Sequence, residues 1–289
     1  MAERFVPASA DELFARATQA RGMLRACNFC ERRCGVNRLS AERAPCGLDD
    51  QTWCFKRHVS FAEELELLPS YMAYLGGCNF RCRFCVQAPS CFAGKLGSLF
   101  DPAEAATDFR RMVGRGAKTI NLLGGEPSLH LHTILEVAAH AAAAGEALPL
   151  VLNSNMYMTP AVIELLEGVV PLYVADFKFG NDPCARQLAG VDRYVEVVTR
   201  NLLLASERAE LIIRHLVMPG HLGCCLEPVA RWVSTHLRGV PFTLMTGYVP
   251  AYRATATDDP LGRCLTESER AEAEQLVESL GLSPSGAAA

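Results

Sequence analysis

From Tyr71 onward the sequence repeats one pattern: a short apolar run, a break rich in glycine or polar residues, then a stretch with helical spacing. The apolar runs are Tyr71–Leu75, Thr119–Leu123, Leu148–Leu152, Leu172–Phe177, Leu211–Val217 and Pro241–Met245. The helical stretches are Pro102–Arg115, Leu131–Ala144, Pro160–Glu167, Pro183–Leu188, Tyr194–Arg208, Leu226–Leu237 and Glu267–Leu280. The first of these carries Asp101 as its cap and Pro102 at its first position. Strands alternating with helices predict parallel βαβ units and an α/β fold. Six strands fall short of the eight in a closed barrel, so the expected architecture is an open, partial (β/α)6 barrel. Ligands in such folds lie at the C-terminal ends of the strands.

The unusual residues cluster at those ends. Cys78 to Cys85 follow the first run, Gly124-Gly125-Glu126-Pro127 the second, and Asn153-Ser154-Asn155 the third. Asp176 and Lys178 follow at the fourth, and Arg214-His215 lie within the fifth. Ahead of the barrel, residues 9–25 read as an amphipathic helix capped by Ser9 or Asp11, with Leu13, Phe14, Ala17 and Leu24 on its apolar face. Residues 27–56 show no periodicity and read as a ligand-rich loop without a core of its own. The expected organisation is an N-terminal helix over 1–26, a Cys-rich metal-binding segment over 27–66, the barrel over 67–282 and a frayed tail over 283–289.

The 289 residues include 13 cysteines, nine of them between Cys27 and Cys91. The N-terminus MAERFVPASADELF lacks the apolar region of a secretory signal, which points to a reducing cytoplasm. Clustered cysteines there signal metal binding or catalysis more often than disulfides. A net charge of −4 gives no case for nucleic-acid or membrane binding, and no apolar run approaches the ~18 residues of a membrane span. With 50% hydrophobic and 21% charged residues, the composition excludes a largely disordered chain.

The sharpest signal is Cys78-x3-Cys82-x2-Cys85, three thiols on one tight loop. A [4Fe–4S] cluster usually takes four thiolates, so three would leave one iron open to an exogenous ligand. A zinc site would more naturally join Cys-x2-Cys to a second pair or to histidine. The loop, with Phe84 before its last cysteine, resembles the signature of radical S-adenosylmethionine (radical SAM) enzymes. Gly124-Gly125-Glu126-Pro127 resembles that family's motif for the methionyl ammonium of SAM. Glycines let backbone carbonyls approach the ligand, and Glu126 adds negative charge near a cation. Within the superfamily the chain is similar to the pyruvate formate-lyase activating enzyme branch. The similarity rests on Cys27–Arg38, Asp176-Phe177-Lys178-Phe179, Ile213–Gly220 and Leu244–Pro250, and runs from about Cys27 to Leu282.

The resemblance implies a partial (β/α)6 radical SAM barrel with an N-terminal Cys-rich extension. It implies that Cys78, Cys82 and Cys85 ligate the cluster, and that Gly124, Gly125 and Glu126 face the SAM ammonium. Asp176, Lys178 and His215 match positions that contact SAM, and Asn153 and Asn155 lie where the ribose or carboxylate is held. The activating enzyme has Asp-Thr-Asn on this strand, which helps bind a monovalent cation. This chain reads Asn153-Ser154-Asn155, a departure that bears on that cation site.

A second set reads Cys27-x2-Cys30-x3-Cys34-x11-Cys46-x7-Cys54. Four of these five could bind zinc or an auxiliary iron–sulfur cluster, with Cys27, Cys30, Cys34 and Cys46 as first choice. Cys54 and Cys91 stand in reserve. Cys184, Cys224, Cys225 and Cys264 are expected to pack as small apolar residues. Arg81 and Arg83 read as structural, electrostatic or simply solvated, and His130 and His132 as flanking the helix after Gly124–Pro127.

The implied activity is reductive cleavage of SAM to a 5′-deoxyadenosyl radical, which abstracts hydrogen from a peptide or small-molecule substrate. One alternative is installation of a glycyl radical on a partner protein. Others are a non-catalytic zinc or iron–sulfur protein and a zinc hydrolase, although the chain has no H-E-x-x-H. An electron donor such as flavodoxin or ferredoxin is the expected redox partner.

Overall fold

A computed structural model describes residues 5–40, 42 and 44–282; the expected tail Ser283–Ala289 lies outside them. The strands are β1 (Trp53–Ser60), β2 (Ser70–Leu75), β3 (Ser98–Leu99), β4 (Thr119–Gly124), β5 (Leu150–Ser154), β6 (Leu172–Asp176), β7 (Glu210–Leu216) and β8 (Phe242–Met245). The helices are α1 (Ala10–Met23), α2 (Pro102–Gly114), α3 (Leu131–Ala143), α4 (Pro160–Leu165), α5 (Asp182–Ala189), α6 (Tyr194–Ser206), α7 (Glu227–His236) and α8 (Glu267–Ser279). All eight strands form one sheet in the order β3-β1-β2-β4-β5-β6-β7-β8. From β2 through β8 every pairing is parallel, while β1 runs antiparallel to both β2 and β3. The chain is an α/β fold on a mostly parallel sheet.

Alternation along the strands sorts the two faces. Ile120, Leu122, Leu150, Leu152, Tyr173, Ala175, Leu211, Ile213 and Phe242 join one large core with Leu135 of α3, Val162 of α4, Leu202 of α6 and Val233 of α7. The opposite parity supplies Val151, Val174 and Ile212, which form a small separate cluster with Leu67 from the β1–β2 connection. Asp176 and Arg214 share the parity of Val174 and Ile212 and are register partners. They therefore stand above this inner cluster at the C-terminal end of the sheet.

The six expected runs all become strands, with informative differences. Leu148–Leu152 was the expected third strand, but β5 begins at Leu150 and continues through Asn153 and Ser154, which pair with Val174 and Ala175 of β6. The ladder outlasts the apolar run. β1 and β3 were not expected; Trp53–Ser60 alternates poorly because its outer positions carry Lys56, Arg57 and His58. It holds through backbone pairing to the wholly buried β2. The segment expected as a coreless loop thus gives a strand to the sheet.

Helix ends follow their caps. Ser9 caps α1, Asp101 caps α2 with Pro102 inside, and Thr266 with Glu269 closes a capping box on α8. On α1 the buried face is Leu13, Ala17 and Ala20, leading to Leu24. Phe14, expected on that face, is 39% exposed and meets His140 edge-on. The expected helix Leu226–Leu237 starts one residue later as α7 because Leu222–Leu226 is wound as a π-helical turn. No helix is long and apolar enough to cross a membrane, among the described residues.

Candidate active site at the ends of the parallel strands

β2 runs into Gly76-Gly77 and then the loop Cys78–Cys85. Gly77 has φ +77°, and a Cβ there would lie 2.4 Å from the Leu48 side chain, so glycine is required. Neighbouring backbone holds the loop: Cys78 N–H donates to Cys46 O at 3.2 Å, Arg81 N–H to Ala189 O at 2.9 Å, and Arg83 N–H to Leu188 O at 2.8 Å. The Arg81 guanidinium donates to Cys78 O at 2.6 Å and Phe80 O at 3.0 Å, and lies over the Phe92 ring. Arg83 pairs with Asp259. Both arginines are structural here. Phe84 is buried against Phe179 and Tyr248.

Cys78 and Cys82 are buried and Cys85 is half-buried. Burial pushes the Cys78 thiol up, with Cys82 and Glu126 adding to it. Burial also pushes Cys82 up, to about 12, although Lys178 opposes it. Cys85 moves the other way, down to about 6, because the Cys91 thiol hydrogen-bonds it; the two sulfurs are 3.7 Å apart. Burial alone would lower the Lys178 ammonium, but Asp176, at 2.6 Å, and the charges of Cys82 and Cys85 hold it above the usual lysine value. A lysine near enough to feel the charge of two cysteines of the loop fits a site that collects thiolate charge.

Gly124–Pro127 packs against this loop. Gly125 N–H donates to Leu75 O and Glu126 N–H to Gly77 O, at 2.8 and 2.9 Å. A Cβ on Gly125 would sit 1.8 Å from Gly77 O, so the approach needs glycine. The Glu126 carboxylate turns into the protein. It accepts from Ser128 N–H and Oγ–H, Ser154 Oγ–H and Asn155 N–H, at 2.7–3.1 Å. Burial raises its pKa, and these donors oppose the rise. Its direct neighbours are therefore the end of β5 and its own turn.

Asn155, expected at a ligand's ribose or carboxylate, uses both ends of its amide within the protein. Its Nδ2 donates to Asn79 Oδ1 at 2.7 Å and its Oδ1 accepts Tyr157 N–H at 3.0 Å. Asn153 is half-buried and shares the inner-face parity of Val151. His215 is 1% exposed, and its Nδ1 sits 2.7 Å from Phe177 O. That contact requires Nδ1–H as donor and leaves Nε2 a free lone pair. Burial lowers its pKa to about 4, so it is neutral near pH 7. His130 and His132 are buried core histidines bonded to Gly76 O and Asp50 O.

Cys27, Cys30 and Cys46 are buried and Cys34 is exposed. Burial pushes Cys30 up to about 12, with Cys46, Cys27 and Cys34 close enough to add to the rise. Their turn docks on the β5–α4 connection through Glu31 N–H to Tyr157 O and Thr159 N–H to Phe29 O. The fully buried Arg38 donates to Leu129 O and Asp49 O at 2.8 Å, and lies 3.9 Å from Cys27 Sγ. Its Nη2 has no hydrogen-bond partner among the described residues. Of the scattered cysteines, one departs from its expected packing. Cys225 packs in the core and Cys184 and Cys224 pack against it, as expected, but all three also converge with His221, and Cys264 is exposed.

The model of the Radical SAM superfamily matches residues 72–233, which hold the cysteine loop, Gly124–Pro127, Asp176, Lys178 and His215. The chain belongs to the radical SAM superfamily. It is 36% identical over 269 residues to the uncharacterized protein MJ0674 of Methanocaldococcus jannaschii, covering 91% of this chain and 77% of that one. Two solved structures are similar at lower identity. Streptococcus suis SuiB bound to S-adenosylmethionine matches 61% of this chain at 14% identity, with a TM-score of 0.41. HydG, a maturase of the [FeFe]-hydrogenase, matches 94% of this chain at 12% identity, with a TM-score of 0.48. The chain spans 37% and 62% of these two proteins.

Membership implies a radical SAM enzyme that works with a [4Fe–4S] cluster and SAM. Several residues around the candidate site have structural roles that the motifs did not assign. Asn79 and Ser154 position the loop and strand end, Cys91 hydrogen-bonds Cys85, and Arg38 lies among the N-terminal cysteines. For His221 the spacing His221-x2-Cys224-Cys225 was the available signal.

Proposed function

We propose that the chain is a radical SAM enzyme of the branch resembling the pyruvate formate-lyase activating enzyme, acting on a peptide or small-molecule substrate. The observation that carries this reading is the docking of Gly124–Pro127 on the base of the cysteine loop, where Gly125 N–H donates to Leu75 O and Glu126 N–H to Gly77 O at the C-terminal end of the parallel strands. In this reading Cys78, Cys82 and Cys85 hold the cluster. Gly124 and Gly125, with Asp176, Lys178 and the Nε2 of His215, hold SAM, and Asn153 lines the inner face beside it. Cluster and SAM together supply a 5′-deoxyadenosyl radical that takes hydrogen from an unactivated C–H bond. The six parallel strands β2 and β4–β8 serve as a partial (β/α)6 barrel, and the apolar inner cluster at Leu67 helps keep water from its floor.

Cys27, Cys30, Cys34 and Cys46 serve as a second metal site, for zinc or an auxiliary iron–sulfur cluster. They feel one another's charge, yet they do not fall within the 4.8 Å compass of a single ion's ligands. Arg38, buried with an unpartnered Nη2, is placed to offset a cluster's negative charge. This extension favours peptide or small-molecule chemistry over glycyl-radical installation. The reductant is a cytoplasmic flavodoxin or ferredoxin.

The test is anaerobic. The protein is reconstituted with iron and sulfide, given SAM and dithionite, and assayed for 5′-deoxyadenosine beside a C78A/C82A/C85A variant. Product from the wild type alone supports the reading; none from cluster-loaded wild type overturns it. Capture of a glycyl-radical enzyme from anaerobic lysate would move the assignment to activation.

A further inference from the structure

Cys184, His221, Cys224 and Cys225 offer four ligand atoms that all lie within 4.8 Å of one another. Cys224 Sγ is 3.8 Å from Cys184 Sγ and 4.0 Å from Cys225 Sγ. His221 Nδ1 is 3.7, 3.2 and 3.9 Å from the sulfurs of Cys184, Cys224 and Cys225. With zinc–sulfur bonds of about 2.3 Å and zinc–nitrogen bonds of about 2.0 Å, a tetrahedron sets sulfurs about 3.8 Å apart and sulfur and nitrogen about 3.5 Å apart. The observed edges match that figure. They are too long for a disulfide, whose sulfurs lie about 2.0 Å apart.

We propose that these four side chains bind a single tetrahedral zinc ion. Three soft thiolates and an imidazole suit zinc, and four protein ligands close the shell, the mark of a structural site. The surrounding backbone is built for it. Asn181 caps α5 by accepting Cys184 N–H at 2.8 Å, and its Nδ2 donates to Cys224 O at 2.6 Å. Cys224 and Cys225 sit on the π-helical turn Leu222–Leu226, a departure from α-geometry common at functional sites. A Cβ on Gly180 would lie 2.7 Å from both Cys224 O and Cys225 O, so only glycine lets the two loops touch.

The site has a structural consequence for the cysteine loop. Cys184 lies in the first turn of α5, and the last turn of α5 accepts the Arg81 and Arg83 N–H groups. An ion at one end of α5 holds the helix on which the loop Cys78–Cys85 rests. This inference stands whether or not the protein cleaves SAM.

The experiment uses the full chain purified anaerobically from zinc-supplemented medium. Zinc, iron and acid-labile sulfide are counted for wild type, His221→Asn, Cys184→Ser and the exposed-site control Cys264→Ser. One zinc per chain is expected in wild type and C264S and lost in H221N and C184S. Zinc X-ray absorption on the wild type, which needs no variant, should show three sulfurs and one nitrogen. Replacement by Co²⁺ should give the intense visible bands of tetrahedral thiolate cobalt, lost in H221N. Absence of zinc, an all-sulfur zinc shell, a Cys184–Cys224 disulfide, or zinc retained in both ligand variants overturns the proposal.

Discussion

The side-chain amide of Asn155 donates to the side-chain oxygen of Asn79 at 2.7 Å, joining the end of β5 to the second residue of the cysteine loop. The same Asn155 accepts Tyr157 N–H, so one side chain sets both the loop and the turn. Asn155→Ala leaves a buried oxygen on Asn79 and a buried N–H on Tyr157, at about 1–3 kcal/mol. Denaturant unfolding should register this loss, and the variant should retain less iron and sulfide after reconstitution. Unchanged stability and cluster content would show that the loop is held from elsewhere.

Glu126 accepts four hydrogen bonds in a fully buried setting. Glu126→Gln keeps the shape but replaces an acceptor with a donor that faces N–H or O–H groups. The expected cost is about 1–3 kcal/mol, read as a lower unfolding midpoint without SAM. If E126Q matched the wild type in stability and weakened only SAM binding, the carboxylate would be a ligand contact instead.

Cys91 is 3.7 Å from Cys85 and buried, yet it lies outside the three-cysteine spacing. Cys91→Ala should keep the full iron and sulfide content, whereas Cys85→Ala should lose cluster. Without the S–H donor the cluster's reduced state is less stabilised, and its potential should fall in an EPR-monitored titration. Loss of cluster from C91A would make Cys91 a ligand.

His215 has a pKa of about 4, against an ordinary value of 6.5, because it is buried. Between those values the unfolded chain binds a proton that the folded chain does not. Its contribution is therefore complete above pH 6.5 and is lost as pH falls toward 4, by about 2 kcal/mol at pH 5. His130, at about 3, and His132, at about 4, act in the same sense. Urea midpoints at pH 7.5, 6 and 5 should fall steadily, and His215→Gln should flatten the slope. A level profile would contradict the burial argument.

Arg214 is bonded to Glu64 Oε1 at 2.7 Å and also pairs with Glu63, while Thr243 donates to Glu64 at 2.8 Å. Arg214→Ala strands two carboxylates, one of them 1% exposed, and should cost about 3–5 kcal/mol. Glu63→Ala leaves the Glu64 pair intact and should cost clearly less. Equal losses on thermal unfolding would mean that Glu63 carries the pair.

The strand and helix pattern from Tyr71 on was readable because it depends on neighbours a few residues apart, and the six runs became β2 and β4–β8. The cysteine loop was readable for the same reason. β1 and β3 were not, since their stability comes from pairing with β2 and with each other rather than from their own alternation. The Phe14 side chain shows the same limit: helical spacing places it on a stripe, but only the position of α3 decides that Ala20 is covered and Phe14 is not.

By itself the sequence determined the α/β class, the order of the parallel strands along the chain, and the close spacing of Cys78, Cys82 and Cys85. Each follows from local spacing and backbone preference. Only the tertiary structure decided which side chains meet across long separations. Asn79 finds Asn155, Arg81 and Arg83 dock on the end of α5, and His221 and Cys224 close on Cys184. Those meetings depend on how the sheet registers its strands and how loops dock on α5, and residues so far apart in the chain exert no influence on one another until it folds.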